Sequence, residues 1–176
     1  MSNYAQIRNM DISNGQGIGV SVFFSGCDFH CKNCFNSELW DYNYGKPFTD
    51  KEIKKIVELM DKSHITRLSI LGGDGLMDCN LAPTMKLIQE VRKQYNNSKS
   101  VWLYTGYKFE DIIKSPFRDL NTTLRRRIVE MCDVLVDGRY IDELKDLTLK
   151  FRGSSNQRLV DIKETIKQGE VVLWRN

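Results

Sequence analysis

The chain has 176 residues, 41% hydrophobic and 28% charged, an ordinary globular balance that excludes a disordered, collagen-like or coiled-coil protein. A formal net charge of +3, from 26 Lys and Arg against 23 Asp and Glu, is too even for a nucleic-acid binder, which needs a basic excess on one face. No apolar run approaches the ~20 residues of a bilayer span. The stretch Met1-Ser2-Asn3-Tyr4-Ala5-Gln6 carries no basic segment leading into an apolar one, so no membrane role and no secretion signal are expected, and the expected location is the cytoplasm.

Along the chain, Val20-Ser21-Val22-Phe23-Phe24 is β-branched and aromatic and predicts a buried strand. A loop follows that holds Cys27, Cys31 and Cys34 and runs on to Pro47. Thr49, with Glu52 three residues on, predicts a capping box, and Ile53, Ile56, Val57 and Met60 repeat at helical spacing behind it. Residues 67–71 predict a second strand, stopped by Gly72-Gly73. Leu87, Ile88, Val91 and Tyr95 predict a helix whose first turn accommodates Pro83. Residues 101–104 predict a third strand, stopped at Thr105-Gly106. A short helical piece is expected near 109–114, then a break at Pro116. Leu120, Leu124, Ile128 and Met131 mark a further amphipathic helix, and residues 134–136 a fourth strand ending at Asp137-Gly138. A polar segment, 153–158, and an apolar one, 171–174, close the chain.

Strands alternating with helices predict a parallel sheet with right-handed crossovers. A closed eight-stranded barrel needs at least ~200 residues. The expected fold is therefore α/β, an open partial (β/α) barrel with a mostly parallel sheet, forming a single domain over residues 1–176. Ligands of such sheets sit at the carboxyl ends of the strands. The cysteine loop, Gly72-Gly73-Asp74, Thr105-Gly106-Tyr107 and Asp137-Gly138 each follow a predicted strand, so these irregular turns should converge on one rim.

Five cysteines, an odd number, argue against a disulfide framework and for reduced thiols with a task. Cys27, Cys31 and Cys34 fall within eight residues, in a loop that lets three thiolates turn toward one centre. Iron–sulfur clusters and zinc are both held this way. Structural zinc wants a closed set of four. His30 abuts Cys31, and neither Cys79 nor Cys132 belongs to a second paired knuckle. The spacing therefore favours a cluster, one iron of which stays open to a small molecule, with zinc as the alternative. Gly72-Gly73-Asp74 alone is an ordinary strand-ending turn. Beside a ligand, its glycines would admit close backbone approach, and Asp74 or nearby carbonyls could accept from an amine.

The remaining residues have plainer readings. Arg125-Arg126-Arg127 is expected to form a solvated helix face. Cys79 and Cys132 are expected to be partly buried thiols, and His64 an ordinary surface histidine. His30 could screen the site, and Trp40, Tyr42 and Tyr44 could cover its loop. The 153–158 segment should either cap the site or meet a partner.

The Cys27-x-x-x-Cys31-x-x-Cys34 triplet, followed by a strand ending in Gly72-Gly73-Asp74, resembles the radical S-adenosylmethionine (SAM) enzymes. More narrowly, the chain resembles the family of anaerobic ribonucleoside-triphosphate reductase activating proteins. The matching segments are 14–17 (Asn-Gly-Gln-Gly), 24–27, 34–40, 71–74, 102–107, 133–139 and 151–158, nearly end to end. The resemblance implies a radical SAM type of partial barrel. In it Cys27, Cys31 and Cys34 hold three irons of a [4Fe–4S] cluster while SAM completes the fourth. It further implies SAM contacts from the backbone around Asn33, Cys34, Phe35, Gly72 and Gly73, with Asp74 near the amino group.

The implied activity is reductive cleavage of SAM to a 5′-deoxyadenosyl radical. That radical takes hydrogen from a glycine of the anaerobic ribonucleotide reductase, with a low-potential donor such as flavodoxin or ferredoxin supplying the electron. The alternatives are an activase of the pyruvate formate-lyase type, which the short length and tail motif disfavour, and a non-catalytic iron–sulfur electron carrier. A carrier would close its cluster with a fourth protein ligand. Three departures from the family pattern stand out: Gly75 where Pro is usual, Asn33 where an aromatic often precedes the third cysteine, and Gly19 where the N-terminal segment usually carries Arg.

Overall fold

The computed structural model describes residues 2–116 and 119–175. Its strands are β1 (Asn3–Asp11), β2 (Ile18–Phe24), β3 (Lys46–Pro47), β4 (Ile65–Gly72), β5 (Ser100–Tyr104), β6 (Val134–Asp137) and β7 (Arg158–Asp161). They make one mixed sheet in the order β3-β1-β2-β4-β5-β6-β7. The four expected strands, β2, β4, β5 and β6, are its parallel centre, and β1 and β7 flank them antiparallel. The sheet does not close on itself.

Register sorts the side chains into two faces. Val22, Ile70, Leu103, Leu135 and Val160 stand in one row across neighbouring strands, all inaccessible to solvent. This face packs against α1 (Asp50–Met60), α2 (Asp78–Tyr95), α3 (Phe109–Lys114), α4 (Leu120–Glu130) and α5 (Ile162–Gln168). Each fully buried aliphatic side chain contributes about 1.5–3 kcal/mol. The predicted capping box opens α1: the Thr49 amide donates to Glu52 at 2.9 Å and the Thr49 hydroxyl accepts from the Lys51 amide. The second face carries Ser69, Trp102 and Val134 side by side. No helix covers it. The aromatic side chains of Phe151 and Trp174 close over Trp102 instead, with ring centroids 5.4 and 5.0 Å away.

Two expectations need correction. Pro83 lies inside α2, whose start at Asp78 places it beyond the first turn. The ring forfeits one helical N–H, a cost of about 3 kcal/mol. Leu81, Met85, Leu87, Ile88 and Val91, all buried on that helix, outweigh it. The Arg125–Arg127 run is not a uniform solvated face either. Arg125 folds inward, its Nε donating to the Leu76 carbonyl at 2.9 Å, its guanidinium paired with Asp78 and lying 5.2 Å over the Tyr107 ring. Arg126 pairs along the helix with Glu130, and Arg127 is exposed.

Arg67 accounts for the glycine at position 19. It is fully buried on the helix-free face, opposite Gly19 in the β2–β4 register. A Cβ on Gly19 would sit 2.8 Å from Arg67 Nε. The guanidinium donates to the carbonyls of Gly15, Gln16 and Gly17 and to that of Asp11, whose carboxylate lies 3.6 Å away. A buried positive charge is thus held behind position 19 by the neighbouring strand. It pins the 11–17 loop across the open face.

Candidate functional site

The cysteine loop is tied at its root to the turn after β4. Gly26 has φ +95°, and a Cβ there would meet the Tyr42 ring at 2.5 Å. Its amide donates to the Leu39 carbonyl, and the Cys27 amide to that of Trp40. From the other side, the Gly73 amide donates to the Phe24 carbonyl at 2.7 Å and the Asp74 amide to that of Gly26 at 3.0 Å. The two chains approach so closely that a Cβ on Gly73 would lie 2.5 Å from the Gly26 carbonyl oxygen. Glycine at 72 and 73 is therefore a steric requirement as well as a turn preference.

Behind this junction sits Asn80, with no exposed surface. Its amide donates to the carbonyls of Ser25 and Asp74, both at 2.9 Å, and its oxygen accepts from the Ser2 hydroxyl at 2.5 Å. The Asp74 carboxylate accepts from the Leu76 amide, the Thr105 hydroxyl and the Gly106 amide at 2.8–2.9 Å. Burial pushes its pKa up to about 6 against those three donors. With three acceptor sites of about four already used, Asp74 first of all fastens the β5 turn to the β4 turn.

The third wall follows β6. Residues 138–157 leave the sheet and return, and Gln157 staples both ends, donating to the Gly138 carbonyl and accepting from the Gly153 and Ser154 amides. On the cysteine loop, Lys32 pairs with Glu143 at 2.8 Å and Asn33 donates to Asp142 at 2.7 Å. Phe29 lies flat on Gly106, its ring 4.9 Å edge-to-face from Tyr107, and the Arg139 guanidinium lies 4.6 Å over it.

These walls enclose a cavity of about 140 Å³ lined by Cys27, Cys31, Cys34, Gly72, Gly73 and Asp74, together with Asn36, Trp40, Tyr104, Gly106, Arg139 and Gln157. Larger grooves lie between α1 and α2 and at the far end of the sheet beside Trp102 and Trp174, and neither gathers thiols. The structure thus brings together six of the predicted site residues. The Asn33 side chain is spent on Asp142, and the Phe35 ring is 99% exposed, so only their backbones remain available to the site. The segment 153–158 serves as wall. His30, at φ +45°, stacks 4.7 Å from the Trp40 ring. Asn36, Tyr104 and Arg139 were not foreseen as lining. Only the proximity of Tyr104 to Thr105-Gly106, and of Arg139 to Asp137-Gly138, could have pointed to the latter two.

All five cysteines are free. Burial pushes the Cys27 thiol up to about 12, and burial followed by the neighbouring Cys34 raises Cys31. Working the other way on Cys31 are the Tyr140 amide and the Arg139 guanidinium. Among the described residues no three His, Cys, Asp or Glu side chains converge on a single ion. The three thiols border one cavity, as the donors of an iron–sulfur cluster would. The donor set fits such a cluster: three thiols, a Gly-Gly backbone opposite, and no fourth cysteine on the cavity wall. Cys79 is half-buried against Asn80, and Cys132 is buried under α4.

Residues 13–160, which include all of these walls, match the family described as "4Fe-4S single cluster domain". Fold and site thus define an iron–sulfur protein. The chain is 36% identical over 157 residues to the anaerobic ribonucleoside-triphosphate reductase-activating protein of Escherichia coli K12, covering 88% of this chain and 96% of that one. It is 33% identical to the protein of that name from Haemophilus influenzae, covering 88% and 95%, and 35% identical to that of Enterobacteria phage T4, covering 89% and 92%. The chain belongs to the family of anaerobic ribonucleoside-triphosphate reductase-activating proteins. No helix among the described residues is long and apolar enough to cross a membrane.

Proposed function

We propose that the whole chain works as one radical SAM domain, a partial barrel, that activates an anaerobic ribonucleoside-triphosphate reductase in the cytoplasm. The observation that carries this reading is the convergence of Cys27, Cys31, Cys34 and the Gly72-Gly73-Asp74 turn on one cavity at the carboxyl ends of parallel strands. When bound, the cluster would supply one electron, received from a donor such as flavodoxin or ferredoxin, for cleavage of SAM to a 5′-deoxyadenosyl radical that takes hydrogen from a glycine of the reductase.

The residues of the chain have the following parts. Cys27, Cys31 and Cys34 would hold three irons of the cluster and leave one for SAM. Gly72 and Gly73 offer backbone where a side chain would block approach, and the backbone around Asn33, Cys34 and Phe35 would contact SAM from the other side. Asp74 fixes the turn and keeps one carboxylate acceptor for the amino group of SAM. Gly138, Arg139, Tyr140 and Gln157, from the wall of residues 138–157, border the site. A carrier protein would usually close its cluster with a fourth cysteine, and the described residues lining this cavity include three.

Anaerobic reconstitution with iron and sulfide, then reduction in the presence of SAM, tests the reading. The expected product is 5′-deoxyadenosine, and Cys31→Ala should abolish it. An intact four-iron spectrum without that product would refute the proposal. A glycyl-radical signal on mixing with the reductase would identify the partner.

A further inference from the structure

Arg139 stands out in the cavity wall. Among the described residues lining the cavity it is the only cation, and its guanidinium makes no ion pair or hydrogen bond there. It is nonetheless held in place, lying over the Phe29 ring, which rests on Gly106 and against Tyr107. A cation over an aromatic face gains about 0.5–1 kcal/mol at an exposed site. Arg139 thus presents a positive charge to the same cavity that the three thiols line.

We propose that Arg139 is a positioning residue of electrostatic kind, which raises the reduction potential of the cluster held by Cys27, Cys31 and Cys34. The inference rests on the cluster assignment above. Three thiolates leave the oxidised cluster anionic, and the added electron makes it more so. A nearby cation therefore stabilises the reduced form more than the oxidised one. Net charge and hydrogen bonds to the sulfurs are the protein's main controls on such potentials.

The test is a redox titration of the reconstituted protein without SAM, followed by absorbance and by the spin signal of the reduced cluster. In Arg139→Gln the ratio of reduced to oxidised cluster at a fixed poise should fall about tenfold, equivalent to about 59 mV for one electron. Iron content should be unchanged. Arg139→Lys should keep more than half of the effect, because charge rather than fork geometry is at issue. Phe29→Leu, which removes the platform but leaves the charge, should fall between. Because Arg139 is exposed, raising the salt should shrink the gap between wild type and Arg139→Gln. An Arg139→Gln protein with full iron that titrates like wild type overturns the inference, as does a gap insensitive to salt. A wild-type protein that assembles no four-iron cluster overturns the site reading itself, and this inference with it.

Discussion

The cavity has two unlike walls. The wall built from the ends of β2, β4 and β5 is closed by buried groups: Asn80 reaches Ser25 and Asp74, and Asp74 reaches Leu76, Thr105 and Gly106. The wall built by residues 138–157 meets the cysteine loop through Lys32–Glu143, with side chains 71% and 65% exposed, through Asn33–Asp142, and through Arg139 over the Phe29 ring. Buried hydrogen bonds are expensive to leave half-made, whereas exposed ion pairs compete with water and salt. The first wall therefore sets the distance between Cys27 and the Gly-Gly turn, and the second can part from the loop at little cost.

The contrast is broken most directly at Asn80. Asn80→Ala strands the buried Ser25 carbonyl and the Ser2 hydroxyl, while the Asp74 carbonyl keeps the Met77 amide, and should cost about 2–3 kcal/mol in urea unfolding of the metal-free chain. An unchanged midpoint would mean that the buried wall is not held as described.

An intermediate case lies at the base of the second wall. Arg158 joins Glu110 at 2.7 Å and Asp137 at 2.5 Å, with side chains 30%, 35% and 1% exposed. The hydrogen bond from Arg158 is the main reason the Glu110 carboxyl is held down to about 2. A depressed carboxylate stabilises the fold fully above its ordinary pKa near 4.5 and loses that contribution as pH falls toward the folded value. Glu110→Gln should thus cost about 1 kcal/mol or less at neutral pH. Its deficit against wild type should close between about pH 4.5 and 2 in acid unfolding. A deficit that persisted at pH 2 would show that the charge is not the source.

The smallest effect belongs to the exposed clasp. Replacing Glu143 by Gln together with Asp142 by Asn should leave the thermal midpoint where it is. Alkylation of Cys31 and Cys34 in the metal-free protein should become faster as the wall swings away. Equal labelling rates would show that other contacts hold this wall closed.

The two walls were also unequally legible in the sequence. The apolar runs of β2, β4, β5 and β6 and the stripe of α1 are strong periodic patterns, and with the triplet and the Gly-Gly-Asp turn they located the first wall. β1 was not foreseen, because it is largely half-exposed and shows no clean alternation. β7 and α5 were missed because β7 is four residues long and is anchored by ion pairs of Arg158 with residues distant in sequence. Arg125 was misjudged for a related reason: a solvated helix face assumes no neighbour, yet the amino end of α2 supplies Asp78 and the carbonyl of Leu76. Arg139 could be placed in the cavity only once Phe29 was known to lie on Gly106, a contact between loops more than seventy residues apart.

An open sheet carries a risk that a closed barrel avoids, since its outermost strands offer unpaired backbone to any passing chain. This one blunts both margins. At one end the last strand, β3, is two residues long and ends in Pro47, which has no N–H to offer. At the other, the final segment lies along β7, bridging Val160 to Leu173 and returning the Trp174 amide to the Leu159 carbonyl. The margin beside β7 is thus covered, whereas β3 shields β1 only at Asn3 and Tyr4.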